Sequence, residues 1–163
     1  TSIKSLGNLK YVGDYLNLEG SIVKSLGDLQ YIEGNFYGRG TKIKDLGQVI
    51  QVNGFIDLRK SSIQTIENLI NVGDGLDLYR TNISSIGKLQ RVEGSLDLHG
   101  AEVEDLNDLE YVGGFLDIRN SKVKSLGKLK SVGGDIDIAN TPLSKKMTKN
   151  KLRSLLGGKN IYV

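Results

Sequence analysis

The sequence predicts a repeat solenoid, a β-rich chain wound into seven coils with a separate cap at its C-terminal end. The first 140 residues divide into seven units of 20 residues without an insertion, and apolar residues recur at the same places of every unit. The period stops after residue 140. One unit cannot bury its own apolar edge, whereas stacked units bury a continuous core, so self-similarity at this period is typical of a solenoid.

The units are numbered here as coils 1 to 7, and the residues of each unit as places 1 to 20. The coils are 1–20, 21–40, 41–60, 61–80, 81–100, 101–120 and 121–140. Places 3, 6, 9, 12 and 16 are apolar in every coil, and place 18 is Leu or Ile except at Gly38. These six columns are the predicted core.

Each coil is predicted to contain a short strand, a turn and a return path. Apolar places 16 and 18 alternate with polar neighbours, which is the periodicity of a strand. Places 3, 6, 9 and 12 are spaced by three, which favours a tight or irregular return path over a long amphipathic helix. Successive strands are then expected about 4.8 Å apart in one parallel sheet. The Gly or Asp at place 14 is expected at positive φ.

Two further columns carry structural predictions. Place 1 is Thr or Ser in every coil except at Ala101, and its hydroxyls are expected to bond the backbone of the turn. In coil 2, Phe36 stands at place 16 where Leu or Ile is usual, and Gly38 stands at place 18. A larger residue beside a smaller one predicts volume compensation, and a binding notch beside Tyr37 is the alternative.

The cap is predicted over residues 141–163. Thr148 is suited to begin a short helix over about 148–156, Gly157 and Gly158 to end it, and residues 160–163 to form a last strand with Ile161 and Val163 in the core columns. Such an atypical final unit covers the open end of a solenoid. Coil 1 has no matching cap in the sequence, so an upstream segment is expected to cover it. Cover by another subunit and an uncovered first coil are the alternatives.

The repeat resembles the leucine-rich repeat. The run LDLYRTNISSIGKL at 76–89 matches its phrase LDLxxTxIxxLxxL, and the likeness extends over the whole chain. The 20-residue length is similar to that of the shortest class, in bacterial effectors and in repeat proteins of bacteria and tailed phages. The family's ladder Asn is replaced by Thr or Ser, and Val112 and Leu116 are four residues apart where three is usual. The VGG–L–I phrase also resembles the β-helical L-type domains of insulin-type receptors.

Composition excludes several classes of protein. The chain has no cysteine, which rules out disulfides and thiolate metal sites and is compatible with secreted and intracellular proteins alike. No apolar run reaches the roughly 18 residues of a membrane span, so no membrane insertion is expected. Residues 1–140 carry 16 basic and 19 acidic residues, so the net charge of +3 originates in residues 141–163.

That basic end has two interpretations. Its six basic residues are Lys145, Lys146, Lys149, Lys151, Arg153 and Lys159, and no acidic residue accompanies them. They are expected to be a solvated cap, and binding of nucleic acid or an anionic surface is the less favoured alternative.

No enzyme is predicted. His99 is the only histidine and stands at an outward strand place, and every candidate serine belongs to a structural column. Zinc, calcium, P-loop and dinucleotide signatures are absent at the spacings they require, so no cofactor or metal is expected.

The outward places 15, 17 and 19 form what is called here the sheet face. Five of the ten aromatic residues stand there, and Tyr162 is expected to make a sixth. Tyr, Phe and Arg on an open face are typical of protein interfaces. The predicted binding residues are Tyr15, Tyr37, Arg39, Phe55, Asp57, Arg59, Asp77, Tyr79, Asp97, His99, Phe115, Asp117 and Arg119.

Place 17 is Asp in five coils, and neighbouring carboxylates about 5 Å apart would repel each other by roughly 1 kcal/mol. Arg59 and Arg119 flank this column and are candidates to pair with parts of it. Duplication of a tolerated residue, contact with a basic partner and Ca²⁺ shared between carboxylates are the other interpretations.

The sequence therefore predicts a non-catalytic recognition module that binds a protein, with a basic surface as one form of partner. The resemblance implies the same, because leucine-rich repeats usually serve as interaction scaffolds. The alternative is a structural component of a larger assembly such as a phage particle or cell envelope. A carbohydrate ligand is a third interpretation, suggested by aromatic residues beside Asp and Arg.

Overall fold

The chain forms a parallel β-solenoid of stacked coils about 20 residues long, as a computed structural model describes it for residues 3–157 and 160–163. Thr1, Gly158 and Lys159, which enter the sequence analysis, lie outside the described residues. The predicted fold class is confirmed. The solenoid has a C-terminal cap made of one described helix and a final strand.

Each coil contributes two strands of two residues, so the solenoid has two parallel sheets where the sequence predicts one. The additional sheet has seven strands and lies in the return path at places 11 and 12. Its strands are Tyr11–Val12 (β1), Tyr31–Ile32 (β3), Gln51–Val52 (β5), Asn71–Val72 (β7), Arg91–Val92 (β9), Tyr111–Val112 (β11) and Ser131–Val132 (β13).

The predicted sheet at places 16 and 17 has eight strands and carries the sheet face. Its strands are Leu16–Asn17 (β2), Phe36–Tyr37 (β4), Ile56–Asp57 (β6), Leu76–Asp77 (β8), Leu96–Asp97 (β10), Leu116–Asp117 (β12), Ile136–Asp137 (β14) and Ile161–Tyr162 (β15). Isolated parallel bridges at place 5, such as Asp105 to Ser125, add a third line of pairing.

The coils stack in register, so every residue pairs with its equivalent 20 residues away. Leu96, for example, pairs with Leu76 on one side and Leu116 on the other. Identical places therefore form straight columns. The six predicted core columns are confirmed, because their side chains are buried through almost all of coils 2 to 7, while Ile3 and Leu9 of coil 1 are exposed.

Coil 2 shows the predicted volume compensation. Phe36 is fully buried, and a Cβ added to Gly38 would lie 3.1 Å from its ring atom Cζ and 2.9 Å from Leu58 Cδ2. The Phe36 ring and Leu58 thus occupy the space that a Leu at place 18 fills in other coils. A notch beside Tyr37 is therefore not present at this core position.

The hydroxyl column at place 1 is also confirmed. Thr41, Thr81 and Thr141 each donate from Oγ1 to the carbonyl oxygen three residues earlier at 2.7 Å. Ser121 makes the same bond to Ile118. These four buried hydroxyls tie their turns to the end of the preceding strand. Ser21 and Ser61 instead accept from the N–H two residues later, and Ala101 has only its backbone N–H to Leu98.

The expectation of positive φ at place 14 is wrong. The glycines there are outside the left-handed region. That region is occupied at place 7 in six coils, by Gly7, Gly27, Gly47, Gly87, Asn107 and Gly127, and at place 20 in every coil, by Gly20, Gly40, Lys60, Arg80, Gly100, Asn120 and Asn140. Place 14 favours glycine for a different reason. A Cβ on Gly134 would lie 2.6 Å from the backbone carbon of Gly114, so successive coils approach too closely there for most side chains.

The cap packs on coil 7. The helix Lys149–Leu156 (α1) begins at Thr148, whose side chain accepts from Lys151 N, and buries Leu152 and Leu156. Strand β15 pairs with β14 and buries Ile161. The prediction that Val163 is a core residue is wrong, since pairing ends at Tyr162 and the Val163 side chain is exposed.

Candidate binding face

All thirteen predicted site residues lie on the sheet face. They form three columns, one within the even-numbered strands at place 17 and one on each side of it, at places 15 and 19. Their exposure differs from column to column. Tyr15, Arg39 and Arg119 are exposed, and the others are half-buried except for Asp57 and Asp117. Most side chains of the face are therefore partly buried, and few are fully exposed to solvent.

The acidic column at place 17 is not the exposed middle of the face that the sequence suggests. Asp57, Asp117 and Asp137 are only 6%, 2% and 8% exposed. The arginines at place 19 of the same rows lie against two of them, Arg59 against Asp57 and Arg119 against Asp117. Burial of these carboxylates is a correction to the predicted site.

Each acid has a backbone partner that explains its recurrence. The place-19 N–H donates to Oδ1 of the place-17 Asp two residues earlier, at 3.0 Å for Tyr79 to Asp77 and 2.8 Å for His99 to Asp97. The same bond occurs at Asp57, Asp117 and Asp137, and at Asn17 in coil 1. Asp and Asn commonly close such turns, so the column has a structural role at the strand end in every coil except coil 2, where Tyr37 stands at this place.

Two arginines neutralise part of the column, as the sequence suggests. Arg59 Nη2 lies 2.6 Å from Asp57 Oδ2, and its Nε lies 3.3 Å from Asp77 Oδ2. Arg119 Nη2 lies 3.0 Å from Asp117 Oδ2, and its Nη1 lies 3.7 Å from Asp137 Oδ2. Each guanidinium therefore bridges two adjacent coils.

Burial and charge set the pKa values of three of these acids in opposite directions. Burial alone would raise the pKa of Asp57, but hydrogen bonds from the Arg59 side chain and backbone outweigh it and lower that pKa. Burial raises the pKa of Asp77 and of Asp117, and the charge of Asp97 between them adds to both increases. The middle of the column thus carries unfavourable negative charge.

Tyr79, His99 and Arg119 form a polar cluster above Asp97. The Tyr79 and His99 rings lie 5.1 Å apart, and Arg119 Nε donates to His99 Nδ1 at 3.3 Å. A shallow cavity of about 270 Å³ is lined by these residues together with Arg59, Asp77 and Asp97. Within residues 3–157 and 160–163, Asp97 itself has no salt bridge, although it lies between two acids that do.

A larger groove lies at the C-terminal end of the same face. It has a volume of about 470 Å³ and is lined by Phe115, Arg119, Asp135, Asp137 and Tyr162, which are called here the C-terminal groove. Asp135, Asp137 and Tyr162 are not among the predicted binding residues. All three stand at outward places of the last two rows, so the periodicity that selects the other residues could have included them.

A second outward surface, on strands β1 to β13, was not predicted as a site. Arg91 lies over the Tyr111 ring at 4.4 Å and pairs with Glu93 at 2.8 Å. Tyr31 is exposed on the same surface. The recurrence of Tyr at place 11 is the sequence feature that could have indicated this surface. It could not be interpreted as a surface without the second sheet, which aligns these residues in one column.

The face can offer aromatic surface, carboxylates and guanidinium groups in fixed rows. Among the residues described, no group of three or more His, Asp or Glu side chains is arranged to hold a metal ion. No helix in that part of the chain is long and apolar enough to cross a membrane. Comparison with family models, curated proteins and solved structures found no match to this chain.

Proposed function

We propose that the protein is a non-catalytic binding module that recognises another protein through its sheet face. The observation that carries this proposal is the fixed row structure of the face. Aromatic and charged side chains occupy places 15 and 19, and the backbone at place 19 is held by the place-17 acid two residues earlier. Binding then costs little ordering of the surface, because the backbone that presents these side chains is already constrained.

The composition of the face also supports a protein partner. Tyr and Arg are enriched where binding energy concentrates in interfaces, and Tyr79, Arg59 and Arg119 lie within one cluster. His99, the only histidine of the chain, is engaged with Arg119 and Tyr79 instead of with a nucleophilic side chain. This arrangement favours recognition over catalysis.

The resemblance of LDLYRTNISSIGKL at 76–89 to a leucine-rich repeat supports the same proposal. Short leucine-rich repeats of bacteria and tailed phages are the kind of protein it points to. Solenoids of this family usually act as interaction scaffolds, so the resemblance is an argument by analogy for protein binding.

The proposal is tested with two matched pairs of tyrosines. Tyr37→Ser with Tyr79→Ser removes aromatic surface from the sheet face, and Tyr31→Ser with Tyr111→Ser removes the same groups from the second surface. All four tyrosines stand outside the core columns, so both variants should fold, as circular dichroism and thermal unfolding will verify. Crosslinking and quantitative affinity capture then compare the proteins each variant retains.

Proteins retained by the wild type and by the Tyr31/Tyr111 variant but lost by the Tyr37/Tyr79 variant are the expected result. Equal retention by both variants would contradict the proposal. If retention is lost only on removal of residues 141–163, the protein acts as a structural part of an assembly instead. A glycan array run with the wild type decides whether the ligand of the face is a carbohydrate.

A further inference from the structure

The C-terminal groove differs from the rest of the sheet face in having aromatic side chains at two of its sides. Phe115 stands at place 15 of coil 6, and Tyr162 pairs in register with Asp137 of coil 7. Their strands are therefore two steps apart, about 10 Å at the usual spacing of a sheet. Tyr162 stands in the register of place 17, two residues further along the strand direction, and both side chains line the groove, so a cation bound there can meet an aromatic ring, which attracts cations within about 6 Å.

The groove is also short of positive charge. Asp135 accepts from the backbone and side-chain nitrogens of Asn160, all of which are neutral donors. Arg119 is the described cation of the groove, and it lies closer to Asp117, at 3.0 Å, than to Asp137, at 3.7 Å. Among the residues that the structure describes, Arg119 thus pairs with two carboxylates, and Asp135 has no cation within salt-bridge distance.

Asp137 gives the groove a specific acceptor. The residue is only 8% exposed, and its Oδ1 already accepts from Ala139 N at 3.0 Å. Its Oδ2 has no hydrogen bond within the described ranges and has Arg119 Nη1 beyond hydrogen-bond distance. Because Asp137 lines the groove, a hydrogen-bond donor bound there can donate to Oδ2 of this nearly buried carboxylate.

We propose that the C-terminal groove binds an arginine side chain of the protein partner, placed between Phe115 and Tyr162 with its guanidinium bonded to Asp135 and Asp137. This inference rests on the proposed protein-binding function of the face and names the chemistry that the face selects. It makes an extended, arginine-containing segment the part of the partner that is recognised.

Arginine suits the groove better than the other cations of proteins. Its guanidinium is planar, stacks on aromatic rings and presents several donors in one plane, so one group can contact both rings and both carboxylates. A lysine ammonium is a compact, strongly hydrated point charge and would lose more hydration for fewer directed bonds. Arginine is therefore expected to bind more tightly than lysine.

The test uses short glycine-flanked peptides with blocked termini that carry arginine, lysine or citrulline. Citrulline keeps the shape of arginine and removes its charge. Each peptide is titrated into the full chain, and backbone amide shifts are followed by NMR. The arginine peptide should shift the amides of Phe115, Asp135, Asp137 and Tyr162 and bind about fivefold or more tightly than the citrulline peptide.

Substitutions at matching places separate the groove from general electrostatic attraction. Asp137→Asn removes one charge and keeps the acceptor for Ala139 N, and Asp97→Asn makes the same change two coils away. Phe115→Leu removes a ring at place 15, and Phe55→Leu does so in coil 3. The Asp137 and Phe115 variants should weaken arginine binding about fivefold or more, while the Asp97 and Phe55 variants should change it less than about twofold.

Four outcomes would overturn the proposal. They are equal affinity for the arginine and citrulline peptides, equal losses in the matched variants, absence of any shift at the groove, and a concentration-dependent dimer that Asp137→Asn abolishes. The last would assign the groove to a second copy of the chain. Tyr37 and Tyr79 lie outside the groove, so the capture experiment with their variants tests protein binding by the face independently of the arginine site. A negative result with the peptides would therefore leave the protein-binding proposal intact.

Discussion

At the residue scale, the acidic column shows how one side chain can be required by geometry and opposed by electrostatics. The Oδ1 atoms accept the place-19 N–H groups, which makes Asp or Asn suitable at place 17. The charge is favourable at Asp57, where the Arg59 side chain donates hydrogen bonds to the carboxylate. It is unfavourable at Asp117, where burial and neighbouring acids outweigh the Arg119 guanidinium 3.0 Å away. Asp117 and Asp57 represent these two cases on equivalent strands.

Asp117→Asn and Asp57→Asn should therefore change the pH dependence of stability in opposite directions. The pKa of Asp117 is raised in the folded chain, so its protonation favours folding, and the stability it adds is complete at low pH and lost as pH rises through that pKa. Asp117→Asn should thus gain stability relative to the wild type at pH 7, and the difference should shrink toward pH 4. Urea unfolding between these pH values measures it.

The Asp57 variant is the control with the same geometry. The pKa of Asp57 is lowered, so its contribution is present above the pKa of the unfolded chain and is lost as pH falls. Asp57→Asn should be less stable than the wild type at pH 7, and the difference should close under acid. If Asp117→Asn behaved in the same way, the Arg119 pair, and not burial, would dominate at Asp117.

At the element scale, a coil accepts an unusual residue when the same coil or the next supplies the complement. Phe36 and Leu58 fill the space beside Gly38 in the core. On the sheet face, the Phe55 ring lies across Gly75, where an added Cβ would be 3.0 Å from two ring atoms. In both places a glycine leaves space that a neighbouring large side chain fills, so neither the glycine nor the aromatic residue can be replaced without a change in the other.

A double-mutant cycle at Phe36 and Gly38 should reveal this dependence. Phe36→Leu removes buried volume, and Gly38→Leu places a side chain against Leu58 and the Phe36 ring, so each single change should cost roughly 1–3 kcal/mol. The double variant restores the residues found in the other coils and should cost less than the sum by at least about 1 kcal/mol. Additive losses in denaturant unfolding would show that the two sites do not compensate.

Much of the element scale is evident from sequence. The core columns and the hydroxyl column follow from residue types that recur every 20 residues, and the helix follows from the capping residue Thr148. The second sheet does not, because a strand of two residues has one inward side chain, such as Val72, and no alternation to detect. Positive φ is expected at the glycine-rich place 14, although places 7 and 20, where Gly and Asn recur, carry the better signal.

The sequence predicts where the candidate site lies, but not how deeply its side chains are buried or which residues neighbour them. Strand periodicity placed Phe115, Asp117 and Arg119 on one outward row, which is where they lie. The burial of Asp117 could not be predicted, because the alternation of a strand distinguishes inward from outward places and does not show how closely outward side chains pack. The aromatic neighbour Tyr162 required knowing that β15 continues the sheet in register.

At the scale of the whole molecule, all coils share the same strand register and core columns, but their surface salt bridges differ. Between coils 6 and 7, four lysines pair with four acids of the preceding coil, Lys122 with Glu102, Lys124 with Glu104, Lys128 with Asp108 and Lys130 with Glu110. These pairs are exposed and contribute little individually. They nevertheless distinguish one coil boundary from the others, which the shared core columns do not.

Removal of a complete coil should leave a folded protein. Deletion of 81–100 joins place 20 of coil 4 to place 1 of coil 6 and brings Leu76 beside Leu116, an apolar pair like those already present. The shortened chain should unfold cooperatively, with a denaturant dependence lower by roughly one seventh because less surface is exposed on unfolding.

Deletion of 91–100 is the control, because it removes half a coil and moves the core columns of one side out of alignment with the other. That chain should lose its far-ultraviolet circular dichroism or its cooperative transition. Equal stability of the two deletions would contradict the view that register, and not mere length, holds the solenoid together.

The in-register pairing of residues 20 apart also bears on how the chain acquires its structure. The strand partners of coil 2 are supplied by coils 1 and 3, so no sheet contact waits for a distant part of the sequence. A ribosome releases the chain from its N-terminal end, and each newly emerged coil finds its template already formed. We expect vectorial folding during synthesis, in which a nascent chain of a few coils is already ordered before the cap has been translated.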